Sequence, residues 1–257
     1  MQWNFQSATE TGGRDIQQDR LEILHCNDHN VSLAILADGV GGYASGEQAA
    51  QLLIDIARDE FTSGNIDNPE FFFSLVCKAC HSELKNIQKT TGVLSATTCV
   101  MLFIKNDEAH WMHIGDSRLY HFRNDEFVFK TRDHALCELE GHELESLGLD
   151  CDKDAGASLY MCLGGKNDIH PEFGVSAIDQ HDSFILCSDG VWGALHPLEI
   201  AKLISVNSDS DKFAQILVKH AVEKNGSTSD NTSMIYASPT RTKNRSGGIS
   251  RLLSAFK

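Results

Sequence analysis

Apolar runs of strand length come in clusters along this chain, and its helical stretches fall between the clusters. Alternating or continuous apolar segments predict strands at about 3–9, 20–26, 31–37, 96–104, 108–115, 117–123, 126–130, 183–188 and 232–237. Helical spacing is clearest over Ala49, Leu52, Leu53, Ile56, Ala57 and Phe61. A second helix begins at Asn68-Pro69 and carries Phe72, Leu75, Val76, Ala79, Cys80, Leu84 and Ile87 on one face. A third holds Phe213, Ile216, Leu217, His220 and Ala221. Single alternation of strand and helix would build a doubly wound parallel sheet. Runs of strands with grouped helices instead predict an α+β fold with antiparallel sheets.

The chain has 257 residues, enough for one large domain or two small ones with a sizeable core. Its net charge of −14 argues against general nucleic-acid binding, which needs basic surface. The first residues, "MQWNFQSATETGG", lack a charged-then-apolar leader, and no run reaches the roughly 18 apolar residues of a membrane helix. A cytoplasmic location is therefore expected. The eight cysteines are scattered through apolar segments, which predicts reduced, buried thiols and no disulfides. The segment from Pro239 onward holds three Arg and two Lys without an acid, which leaves −19 on the remainder of the chain. Residues 1–238 read as the folded domain, and 239–257 as a basic, flexible tail able to dock on a partner.

Three aspartates share one local setting. Asp38 follows "SLAILA", Asp189 follows "SFILCS", and Asp230 precedes "NTSMIYA", so each carboxylate stands at the end of an apolar strand. Hard divalent cations such as Mg²⁺ or Mn²⁺ take oxygen ligands, and rigid strand ends can bring several carboxylates to one point. Glycine next to such an aspartate lets backbone and phosphate approach closely. Asp-Gly is also the ordinary mark of a turn, so none of the three is decisive alone. Arg14, Asp19 and Asp116 extend the set.

In chain order, "GGRDIQQD" with Arg14 and Asp19, "ADGVGG" with Asp38 and Gly39, "SATTCV", "HIGDSRLY" with Asp116, "TRDHAL", "CSDGVW" with Asp189 and "SDNTSMI" with Asp230 resemble the motif series of the metal-dependent Ser/Thr protein phosphatases, the PPM or protein phosphatase 2C-like family, in its bacterial form. The match spans about residues 5–237. This resemblance implies an αββα sandwich, two antiparallel sheets packed face to face with helix pairs outside. It implies that Asp38 bridges two Mn²⁺ or Mg²⁺ ions with the Gly39 carbonyl on one of them, and that Asp189 and Asp230 serve the other. Asp19 would hold metal-bound water, and Arg14 would grip the phosphate through its planar fork. Asp116 with Asp189 would help bind a third ion. The implied reaction is hydrolysis of phosphoserine and phosphothreonine in proteins by direct attack of a bridging hydroxide. It needs no phosphoenzyme. The implied partners are Ser/Thr-phosphorylated proteins and a kinase acting in opposition, with the phosphatase itself a monomer.

The chain departs from the family pattern in three places. Gln18 stands where Glu usually precedes Asp19, removing a negative charge beside the metal water. Val40 follows Asp38-Gly39 where animal members often carry His, so the acid that protonates the leaving group is unassigned. "LYMCLGG" replaces a segment that often contains a Thr-Arg pair. Two other readings stay open: a catalytically weak module of this fold that binds phosphoproteins, and a metallohydrolase of small phosphorylated molecules.

Other motifs are weaker. "CKACH" at Cys77–His81 matches a haem-attachment pattern but lies in an amphipathic helix, where buried core cysteines are expected, and no second pair completes a zinc site. "GVGGYASG" lacks the lysine of a phosphate loop and the spacing of a dinucleotide loop. The acidic stretch 141–156 is expected to be a flap near the site or a solvated loop.

Overall fold

Two-residue turns with left-handed backbone set up the sheets. Asn106-Asp107 and Asn124-Asp125 all have positive φ (53°, 59°, 53° and 62°), the conformation that matches the twist of a tight antiparallel hairpin. The computed structural model describes residues 1–40, 45–140, 143, 158–208 and 210–240. In chain order the elements are β1 (Trp3–Glu10), β2 (Asp19–Cys26), β3 (Val31–Asp38), α1 (Gly46–Thr62), α2 (Pro69–Thr91), β4 (Cys99–Lys105), β5 (Glu108–Ile114), β6 (Arg118–Arg123), β7 (Glu126–Lys130), β8 (Glu172–Ala177), β9 (Asp182–Cys187), α3 (Asp189–Trp192), α4 (Pro197–Asn207), α5 (Phe213–Asn225) and β10 (Thr232–Pro239).

The strands form two five-stranded sheets of order β1-β10-β9-β6-β7 and β2-β3-β4-β5-β8, and every pairing is antiparallel. Period-two alternation sends the two faces of a strand to different cores. Along β3, Leu33, Ile35 and Ala37 meet the α1–α2 pair, while Ala34 and Leu36 meet the opposite sheet beside Leu102, Phe184 and Ile235. On the far side, Ile185 and Tyr236 pack with Ile200, Ile204, Phe213 and Leu217 of α4 and α5. Burying each large apolar side chain contributes about 2 kcal/mol, and three such layers make the expected αββα sandwich.

Local chemistry fixes the helix ends. The Asn68 side chain accepts from the Phe71 N–H at 3.0 Å, Pro69 takes the first helical position, and α2 stops at Gly92 with φ 70°. Cys77 and Cys80 of the "CKACH" stretch have no exposed surface, and the His81 Nδ1 accepts from the Gly164 N–H at 3.1 Å. The stretch is thus core and loop anchor, not a haem site. All seven cysteines among the described residues are unpaired.

The structure adds three elements that the sequence pattern did not predict: the single-turn α3, the strand β8 and the helix α4. β8 is a short edge strand, interrupted by Gly174, whose alternating Phe173 and Val175 are exposed rather than buried. α4 buries only Ile200 and Ile204 and begins at an unusual cap: His196 Nδ1 accepts from the Leu198 N–H while the Glu199 carboxylate accepts from the His196 N–H. β4 also starts at Cys99 rather than near residue 96, because Thr97 forms single bridges to Gly39 and Leu163 instead of a ladder. Among the described residues no helix is long and apolar enough to cross a membrane. The basic tail beyond Thr240, the acidic stretch 141–156 apart from Glu143, and the Gly41-Gly42 pair lie outside the described residues.

Candidate active site

Antiparallel pairing gathers the predicted site residues at one end of the sandwich. Asp19 opens β2 and Asp38 closes β3, and their Cα atoms face each other in the ladder. Asp189 follows β9, Asp230 precedes β10, and Asp116 lies in the turn between β5 and β6. Arg14, Asp38, Gly39, Asp116, Asp189 and Asp230 all line one cleft of about 420 Å³. Asp19 stands behind them, 3% exposed.

The backbone around Asp38 is over-determined. Its N–H donates to the Thr98 hydroxyl at 3.0 Å, and its carbonyl accepts from the Thr98 N–H at 2.8 Å and the Thr97 hydroxyl at 3.0 Å. The Gly39 N–H donates to the Gln18 carbonyl at 3.2 Å. A Cβ at Gly39 would lie 2.4 Å from the Gly46 backbone. Glycine is required there because β3 and the start of α1 touch backbone to backbone.

A second knot ties Arg14 to the other sheet. Asn231 accepts from the Gln18 N–H at 2.8 Å and donates to the carbonyls of Thr11 and Ile16, each at 3.0 Å. Gly12, at φ +67°, brings this loop so near β10 that a Cβ would sit 2.3 Å from the Asp230 carbonyl. Arg14 is thereby held over the cleft and donates to Asp230 Oδ2 at 2.6 Å. Asp116 is fixed by its carbonyl, which accepts from the Trp192 indole at 2.9 Å. Sequence reasoning missed Ser188, Asn231 and Thr98 as the supports of this array. Ser and Thr carry no signal of their own in a strand-end motif, although all three residues lie inside the motifs quoted above.

Charge is the dominant property of the cleft. Among the described residues, Arg14 is the cation that pairs with one of these carboxylates. Enclosure by protein, followed by repulsion from Asp19 and Asp189, pushes Asp38 well above the usual carboxylate range. Burial, opposed by hydrogen bonds from Ser233 and Ser188, leaves Asp19 at about 6. Burial also lifts Asp116 to about 6 and, with repulsion from Asp230 and Asp116, Asp189 to about 7. Asp19 Oδ2 accepts from the Ser188 hydroxyl at 2.8 Å, whereas its buried Oδ1 has no hydrogen-bond partner among the described residues. A crowd of oxygen donors with little cationic compensation and an orphaned buried carboxylate oxygen fits hard divalent cations. Cys162 and Lys166 also line the cleft, and burial raises the Cys162 thiol to about 11. Lys166 is presented by a loop whose Gly164 and Gly165 carbonyls accept from Gln88 and Lys85 of α2 at 2.7 and 2.8 Å.

The family model described as protein phosphatase 2C matches residues 12–226. The chain belongs to this family. Protein phosphatase PhpP of Streptococcus pneumoniae is 25% identical over 226 residues, covering 82% of this chain and 90% of the relative. The serine/threonine phosphatase of S. agalactiae superposes with a TM-score of 0.81 at 22% identity, over 93% of this chain and all of the other. The catalytic domain of the serine/threonine phosphatase PstP, in complex with two manganese ions, has a TM-score of 0.70 at 22% identity, over 92% of this chain and 97% of that one. These structural likenesses establish the fold.

Proposed function

We infer that this chain is a metal-dependent phosphoprotein phosphatase that hydrolyses phosphoserine and phosphothreonine, with residues 1–238 as its catalytic domain. The observation that carries the reading is the convergence of Asp38, Asp116, Asp189 and Asp230 on one strand-end cleft, with Asp19 buried behind them and Arg14 paired with Asp230. Membership of the protein phosphatase 2C family and the two manganese ions of PstP support the same assignment.

Asp38 and the Gly39 carbonyl, with Asp189 and Asp230, would hold two Mn²⁺ or Mg²⁺ ions, and Asp116 with Asp189 a third. Such ions supply Lewis acidity and lower the pKa of water at the phosphorus. The protein's own groups do the rest. Asp19 keeps one oxygen on Ser188 and offers the other to a water beside Asp38. Arg14 leaves Asp230 to pair two phosphate oxygens, since its planar fork presents two N–H donors side by side. Ser188 holds the Asp19 carboxylate and Thr98 the Asp38 backbone, which is the preorganisation that phosphoryl transfer needs. Val40 offers no proton, so the leaving alkoxide must be served by another donor.

The substrates are Ser/Thr-phosphorylated proteins, and a Ser/Thr kinase supplies them. The seven unpaired thiols among the described residues accord with a reducing, cytoplasmic setting, and the enzyme acts there as a monomer. The deciding experiment measures turnover of a phosphothreonine peptide and an aryl phosphate with Mn²⁺, with EDTA and with Asp38→Ala. Peptide turnover that depends on Mn²⁺ and Asp38 is expected. Turnover that persists in EDTA or in the variant overturns the mechanism, and metal binding without hydrolysis would make the chain a phosphoprotein-binding module.

A further inference from the structure

The turn that carries Asp116 hangs on a buried histidine. Gly115 has φ +100°, and a Cβ there would lie 2.7 Å from the Thr98 methyl group, so the position accepts glycine alone. The Gly115 N–H donates to His134 Nδ1 at 3.0 Å, and its carbonyl accepts from the His134 N–H at 2.9 Å. These two bonds clamp the peptide immediately before Asp116.

The first bond works only in one tautomer. His134 Nδ1 must keep its lone pair for Gly115, so the ring proton of the neutral imidazole sits on Nε2. Nε2 faces Glu172 Oε1 at 3.4 Å. Glu172 opens β8, opposite His113 in the β5–β8 ladder. The His113 ring stacks on His134 at 4.7 Å and 12°, and its Nε2 lies 2.7 Å from the Arg132 carbonyl, which it must therefore serve as a donor.

Ligand atoms of His113, His134 and Glu172 lie within 4.8 Å of one another, which suggests a metal site at first sight. The tautomers argue otherwise. His134 Nδ1 is occupied by an N–H, and the Nε2 atoms that face Glu172, at 3.4 and 4.0 Å, each carry a proton; the lone pair left over is on His113 Nδ1, which is buried and has no hydrogen-bond partner among the described residues. The cluster is a hydrogen-bond relay from the edge of one sheet to the cleft.

We propose that His134, held in its Nε2–H tautomer by Glu172, is a positioning residue that sets the Gly115–Asp116 turn and thereby the affinity of the ion held by Asp116 and Asp189. The proposal rests on Asp116 being a metal ligand, as inferred above. Partners one shell out from a metal ligand commonly change affinity by about 10- to 100-fold when removed. Glu172 is half-exposed, so its replacement does not threaten the core.

The test is Mn²⁺ titration calorimetry on the full chain, with the Mn²⁺ dependence of turnover as a second readout and a thermal melt as the folding control. Glu172→Ala is expected to weaken the lowest-affinity Mn²⁺ site about tenfold while leaving the tighter sites within about twofold. Turnover should recover at saturating Mn²⁺. Glu172→Gln should behave like the native protein, because its amide oxygen still accepts from Nε2–H. In a His134→Asn background, where the Asn oxygen can accept from Gly115 without help from β8, adding Glu172→Ala should change nothing. Asp116→Ala marks the site by removing it. If Asp116→Ala abolishes the weak site but Glu172→Ala leaves it intact, or Gln fails to rescue, the positioning role is overturned and the ligand assignment stands. If Asp116→Ala leaves the isotherm unchanged, both are overturned.

Discussion

β9 carries a carboxylate at each end, and the two are treated in opposite ways. At its start Asp182, with no exposed side-chain surface, accepts from Arg123 Nε at 2.7 Å and Nη2 at 2.9 Å, from His121 at 2.7 Å and from the Asp179 N–H at 2.7 Å. Burial alone would raise its pKa, but these donors outweigh burial and the group is held below the usual carboxylate range. Just beyond its end Asp189 meets Asp230, Asp116 and Asp19, and is raised to about 7. Both ends come from the same strand and the same sheet. The difference is the supply of donors: one carboxylate is finished by the protein, and the other is left for a ligand to finish.

The contrast can be broken by substitution. Asp38→Ala should lower phosphopeptide turnover about a thousandfold and, in EDTA, raise the melting temperature, because it removes a repelled charge. Initial rates and calorimetric melts read both. Asp182→Ala should do the reverse, costing about 3 kcal/mol of stability with Mn²⁺ affinity unchanged, as measured by urea unfolding and titration calorimetry. Arg14→Ala should lower kcat/KM about a hundredfold, with only partial recovery in Arg14→Lys, since an ammonium lacks the two-pronged fork. The smallest effect is on pH dependence. Unfolded carboxylates lose their protons near pH 4, whereas Asp19, Asp116 and Asp189 in the metal-free fold keep theirs to about 6 or 7. The contribution of these three groups to metal-free stability is therefore fullest below about pH 4 and is lost as pH rises to about 7. Added Mn²⁺ should flatten that slope in a thermal melt across the same range, and a flat metal-free profile would show that the acidic end is already compensated.

The strand-end aspartates were legible because each sits at the border of a strongly apolar run, Asp38-Gly39 and Asp189-Gly190 where a run stops and Asp230 where one starts. Seven such motifs in order also located the fold. What the sequence hid was support rather than chemistry. Ser188, which fixes one oxygen of Asp19, and Asn231, which ties the Arg14 loop to β10, act across 169 to 220 residues of chain, beyond the reach of any local pattern. β8 was missed because it is short and broken by Gly174, although Phe173 and Val175 alternate as in a half-buried strand. α4 was missed because histidine is an uncommon cap, although Pro197 and Glu199 stood in the positions that a capped helix favours. The departures at Gln18 and Val40 remain chemically significant, yet the Gln18 main chain serves the site through Gly39 and Asn231 whatever its side chain.

β1 and β10 pair along their full length, from Trp3 opposite Pro239 to Glu10 opposite Thr232. The first of these strands to be synthesised therefore waits for the last of them before its ladder can close. Arg14 cannot meet Asp230, nor Asn231 gather the loop before Asp19, until nearly the whole domain has been synthesised. A nascent or truncated chain can bury much of its apolar interior, but it cannot dephosphorylate anything, so the topology itself withholds activity from incomplete copies.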